Sequence, residues 1–170
     1  HMATSLSAAR VSGGFAATFA STVDLGTVTH EVAWGPTYVF TDGTGADQAK
    51  AVFTDTRTIS ASSSESLDLD ALTDAFGNTI VGTKIKAIMV QAASGNTNDV
   101  VVGGAASNQF ASLFGDVSDT IKIKPGGMFI AVAPNATGYA ITASTGDTLK
   151  VANSSSGSSV TYTIAILFVV

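Results

Sequence analysis

Cysteine is missing from all 170 residues. That absence removes disulfides, thiolate metal sites and cysteine nucleophiles together. Charge is scarce too: Asp, Glu, Lys and Arg make up 12% of the chain, about half the usual share. Ser, Thr, Ala and Gly take their place, so the expected surface is neutral and hydroxyl-rich, unlike that of a typical cytosolic enzyme. The net charge is −5, and the few basic residues are scattered from Arg10 to Lys150. Without a basic stripe interleaved with aromatics, nucleic-acid binding is not expected. Long apolar runs are lacking as well. The longest, Ile164 to Val170, is far short of the roughly 20 residues of a membrane helix. No charged flank precedes an apolar core near the start, so no signal peptide is read there. His1-Met2 reads as a cloning scar, which leaves His30 alone and argues against metal sites built from histidine. No Walker loop or dinucleotide fingerprint occurs. Gly103-Gly104 and Gly126-Gly127 are turn doublets, and no cofactor is expected.

What the chain has is β-forming sequence, above all in residues 160–170. At period two, Val160, Tyr162, Ile164, Ile166, Phe168 and Val170 share one bulky face, which must be buried. The other face begins polar at Thr161 and Thr163 and turns apolar at Ala165, Leu167 and Val169. A strand of this kind belongs in the middle of a sheet, with something capping Leu167 and Val169, because a bare apolar edge invites aggregation.

Upstream, residues 3–26 are small and polar, with Phe15, Phe19 and Val23 at intervals of four. They read as an extended or partly helical arm (1–26 with the scar) whose phenylalanines dock elsewhere: either a first strand of the domain or an arm that crosses to a neighbouring subunit. Residues 27–170 read as the folded domain. Thr27 to Val32 alternates as a strand, and Trp34-Gly35-Pro36 breaks it. Gly82 marks a bend in a strong strand over 80–90. A helical turn is expected over 71–76, and another at Phe110, Leu113 and Phe114 to cover an open end of the core. Thr120–Lys124 and Met128–Ala133 read as a hairpin around Pro125-Gly126-Gly127, and Tyr139–Thr142 with Thr148–Val151 as another. The total is nine or ten strands with little helix, which predicts an all-β antiparallel sandwich. A central last strand makes it jelly-roll-like.

Sites for chemistry are weak. His30 lies in an alternating run with no nucleophile elbow anywhere, so it reads as an outward strand residue. Asp68 and Asp70 share a strand face as a glycosidase pair might, but without aromatic platforms or a cleft they read as solvated. The loops 42–47 and 96–99 are rich in oxygen ligands without matching an EF-hand, so either is at most a cation candidate. The sequons at Asn135 and Asn153 read as chance without a secretion signal. Trp34 and Tyr38 are the candidates for sugar stacking, with a core role as the competing reading.

The second half of the chain has a cadence. Lys84–Ile88 leads to Val100–Gly104, Asn108 with Phe110, Ile121–Gly127, Tyr139 ahead of Thr142-Ala143, and Val160–Ile164. It resembles small β-rich structural proteins of tailed-phage virions, in particular capsid decoration or cement proteins. That resemblance implies a β-sandwich without enzymatic activity, which forms dimers or trimers with itself and binds a capsid protein. It also implies assembly in the bacterial host cytoplasm and residence in the virion. No functional residue transfers, because the matching positions look structural. Phe15, Phe19, Leu167 and Val169 are then the expected interaction residues. A carbohydrate- or receptor-binding module of a phage tail or fibre is the alternative.

Overall fold

The computed structural model describes residues 5–170; the scar and the first residues of the expected arm lie outside them. The described residues contain sixteen strands and no helix. Two sheets form the body. One has the order β13 (Met128–Val132), β10 (Lys84–Ala92), β16 (Val160–Val169), β6 (Ala51–Ile59), with β14 (Tyr139–Ala140) also pairing β10. The other runs β12 (Thr120–Ile123), β11 (Val100–Gly103), β15 (Thr148–Asn153), β7 (Ser64–Asp68). Leaving out the short β14 and the hairpin of β8 (Leu72–Thr73) and β9 (Thr79–Ile80), eight strands remain in these sheets. The first pairs with the eighth, the second with the seventh, the third with the sixth and the fourth with the fifth. The chain is thus one long hairpin rolled into a sandwich, which is the jelly-roll arrangement.

The terminal strand is central, paired with β10 on one side and β6 on the other. Val160, Tyr162, Ile164, Ile166 and Phe168 all point into the core between the sheets, against Leu67, Leu149, Val151 and Val102 from the opposite layer, whereas Val170, expected on the same buried face, lies past the strand's end and is exposed. The strand expected over 80–90 is interrupted between Ile80 and Lys84, where a Cβ on Gly82 would come within 2.5 Å of the Leu69 carbonyl oxygen.

The sandwich alters two expected hairpins. β12 and β13 lie in different sheets, so Pro125-Gly126-Gly127 is a corner that carries the chain across the sandwich edge. Tyr139–Ala140 and β15 are likewise split between layers. A tight turn fixes a reversal, but partner choice follows from which sheet has the open edge. The expected helical turn over 71–76 is instead the β8–β9 hairpin. There the Asp74 carboxylate accepts from the backbone N–H groups of Phe76 and Asn78, at 2.9 and 2.8 Å, offering the backbone a turn in place of a helix. Phe110, Leu113 and Phe114 do cover the core, through turns rather than a helix.

The N-terminal region departs most from expectation. β1 (Ala9–Ser12) pairs with β4 (Thr37–Asp42), which runs parallel to the short β5 (Gln48–Ala49), and together they make a third small layer. This layer packs on the outer face of the β13-β10-β16-β6 sheet. Between β1 and β4 the chain leaves the body as a second hairpin, β2 (Phe15–Val23) with β3 (Gly26–Trp34). The expected arm boundary at residue 26 therefore falls inside that hairpin, at the first residue of β3. Spacings of four satisfy period two as well as they satisfy a helix, and the β-branched Thr and Val residues settle it as strand.

Candidate interaction surface

Leu167 and Val169 do have cover, and it comes from their own chain. Leu167 is 7% exposed and Val169 3%. Phe40, Ala49 and Ala87 bury Leu167, with Leu6, Ala9, Val11, Tyr38 and Val132 around them. Val169 is closed to a partner in this fold, whereas Leu167, though mostly covered, lines a groove between β1 and the outer face of the sheet and is within reach only there. The apolar second half of β16 signalled a cap correctly, and the residues that cover it belong to the same chain, most of them between Leu6 and Ala49.

Phe15 and Phe19 are placed very differently. Every residue of β2 and β3 is exposed. The register sets Phe15 opposite Trp34, Ala17 opposite Val32, Phe19 opposite His30, Ser21 opposite Val28 and Val23 opposite Gly26. Directly paired residues share a face, so this face is almost wholly apolar. The reverse face carries Ala16/Ala33, Thr18/Glu31, Ala20/Thr29 and Thr22/Thr27 and suits water. The hairpin is thus amphipathic, with its apolar side bare: Phe19 is 78% exposed and Trp34 71%. A lone two-stranded hairpin is marginally stable in water, and an exposed apolar patch rimmed by polar residues marks a binding surface.

The apolar surface continues onto the body. A hollow of about 300 Å³ at the hairpin base is lined by Phe15, Trp34, Tyr38, Ile130 and Val132. Next to it lies a groove of about 440 Å³ between β1 and the outer face of the sheet, lined by Val11, Val52, Ala87, Met89, Ile130 and Ala165, with Arg10 as its single charge. Beyond the groove the same sheet face turns polar. Thr163 bonds Thr56 and Thr161 bonds Thr58, both at 3.0 Å between hydroxyl oxygens.

The residues considered for chemistry are dispersed. His30 sits on the exposed hairpin face opposite Phe19. Asp68 accepts from the backbone N–H of Asp70 across a turn, at 3.1 Å. In loop 42–47, Asp42 pairs with Lys50 at 3.4 Å and Gln48 binds the Gly45 N–H at 2.8 Å. The loop's inner oxygens face a cation the chain itself provides. Lys86, 0% exposed, donates to the carbonyls of Gly45 (3.2 Å), Pro134 (3.3 Å) and Asn135. Burial first, and Lys84 second, hold its pKa below the ordinary lysine value. The strand register shifts between Ile85 and Ala87, and this bulge places Lys86 out of the simple alternation of the strand. In loop 96–99, Asn96 binds both backbone groups of Thr161, Asn98 binds carbonyls of residues 155–158, and Asp99 pairs with Lys124 at 2.9 Å. Asn153, the centre of one sequon, is itself buried and braces this region through Ile59, Ser60 and Ser158.

One polar group inside the sandwich gave no sequence signal. The Tyr162 hydroxyl donates to Glu65 on β7 at 2.9 Å, and Arg57 on β6 bridges Glu65 (2.6 Å) and Asp55 (2.8 Å). The network pins one sheet's edge to the other. Burial, then the bond to Glu65, push the Tyr162 pKa far above the ordinary phenol value, so it serves as a fixed neutral donor. No family model, curated protein or solved structure matches the chain.

Proposed function

We propose that this chain is a non-enzymatic structural protein of a tailed-phage virion: a capsid decoration or cement protein that oligomerises and stabilises the shell. The observation that carries the reading is the projecting hairpin with its bare apolar face on a jelly-roll body. Supporting it are the low charge, the lack of cysteine and the scattering of candidate catalytic groups over separate surfaces. A protein that binds the assembled shell better than its free subunits stabilises it in proportion to occupancy. Made in the host cytoplasm, it would reside in the virion. Co-sedimentation with expanded phage capsids tests this. Saturable binding that raises the capsid's melting temperature is expected, and neither binding nor stabilisation at saturating protein would reject it.

A second reading has its own support. Phe15 and Trp34 pair across the hairpin with Trp34 largely exposed, which is how sugar-binding sandwiches present a stacking platform. As a carbohydrate- or receptor-binding module of a tail or fibre, the chain would give a glycan-array signal that Trp34→Ala abolishes.

A further inference from the structure

The hairpin and the groove are complementary surfaces on one chain. The hairpin projects large apolar side chains, among them Phe19 and Trp34, and half of the residues that wall the groove are small, such as Ala87, Ala165, Val11 and Val52. A cavity of about 150 Å³ holds a benzene ring, so the groove's volume of about 440 Å³ has room for two aromatic rings. The apolar face itself carries no full charge: Glu31 lies on the reverse face and Asp24 in the turn, where it can meet Arg10, the groove's single charge. The chain's own hairpin leaves this groove open, because every one of its eighteen strand residues is exposed in the folded chain.

We propose that the occupant is a second copy of this chain: each copy lays the apolar face of its Phe15–Trp34 hairpin over the groove of a neighbour and receives a hairpin in its own. This rests on the reading of the protein as an oligomeric assembly component and names the surface through which it oligomerises. Size decides between one-way and closed exchange. A ribbon of two nine-residue strands is about 30 Å long and about 10 Å wide. One insertion therefore buries on the order of 600 Å² counting both partners, in the range of lattice contacts, whereas reciprocal insertion buries about 1,200 Å², where stable interfaces begin. One-way insertion also leaves a hairpin and a groove bare at the ends, a recipe for open filaments. The assembly is therefore closed, with a dimer as its smallest form.

The test uses the full chain alone, by sedimentation velocity over a dilution series, with the emission of the single tryptophan, Trp34, recorded in parallel. A closed oligomer is expected, with Trp34 emission moving to shorter wavelength as it forms. Phe19→Ser on the hairpin and Met89→Glu in the groove should each weaken association by about tenfold or more, with unchanged circular dichroism for Phe19→Ser. If Met89→Glu disturbs the fold, cross-linking replaces it. The cysteine-free chain allows a Phe19→Cys copy and a Met89→Cys copy of different length to be mixed with a short bismaleimide, and a product joining the two lengths is expected. A monomer at every concentration, an oligomer that survives Phe19→Ser unchanged, or no product joining the two lengths would overturn the proposal. Because no capsid is present, failure here leaves the capsid experiment standing. An oligomer that ignores capsids would reject the function and spare the exchange.

Discussion

The last strand and the projecting hairpin are built from the same alphabet and meet opposite fates. β16 places bulky apolar residues at every second position, and the β2–β3 ribbon gathers Phe15, Phe19, Val23, Val28, Val32 and Trp34 on one face. Yet β16 is among the most buried segments in the fold, and the hairpin is bare along its whole length. The difference lies in neighbours. β16 has a strand on each side, the opposite sheet on one face and the β1-β4-β5 layer over the end of the other. The hairpin strands have only each other. Alternation in a sequence specifies that a face is to be covered. It does not specify by what, and the chain ran out of its own elements before it reached the hairpin.

The sharpest way to break this comparison is a matched pair of truncations. Phe168→Ala, in a side chain fully enclosed by the core, should cost about 3–5 kcal/mol in chemical denaturation. Phe19→Ala in the dilute monomer should cost less than about 0.5 kcal/mol. Equal costs would mean that the hairpin folds back onto its own body. Next in size, Leu167→Ala should cost about 2–4 kcal/mol, independent of protein concentration, because its cap is intramolecular. A cost that vanishes on dilution would place that cap on a partner. Loss of the cap should also separate two deletions. Removing residues 3–12 strips Leu6, Ala9 and Val11 from Leu167 and should destabilise the body, whereas replacing residues 14–35 with a short turn should leave its melting transition almost unchanged.

Tyr162 gives a smaller, pH-dependent effect. Its pKa is raised in the folded state, so its contribution is complete below the unfolded value of about 10 and is lost as pH rises above that. Wild type should therefore lose stability above about pH 10 relative to Tyr162→Phe. Taking the difference removes the opposite trend from Lys86, whose lowered pKa favours the fold as pH rises. Parallel pH profiles for the two proteins would contradict the buried-donor role.

Much of this architecture is legible in the residues. The even positions of β16, the inward Leu67 and Leu69, and the need for a glycine at residue 82 all follow from period two and from close approach. Partnership is what eluded reading. Pro125-Gly126-Gly127 has the composition of a hairpin turn, yet it joins two sheets, because strand pairing here is decided by the rolled topology and not by local turn chemistry. Phe15, Phe19 and Val23 stood out, but their spacing fits helix and strand alike. The partners that define the apolar face, Val28, Val32 and Trp34, appear only once the turn at Asp24-Leu25 is placed. Lys86 was hidden for a related reason, since one bulge turns an outward lysine into an internal cation.

Residue-resolved hydrogen exchange, measured on concentrated and on highly diluted protein, tests most directly whether the two apolar surfaces are covered in different ways. Amides of β16 should be equally protected in both samples, and those of β2 and β3 should be protected only in the concentrated one. Hairpin protection that does not change with dilution, or fast exchange in both samples, would contradict the account.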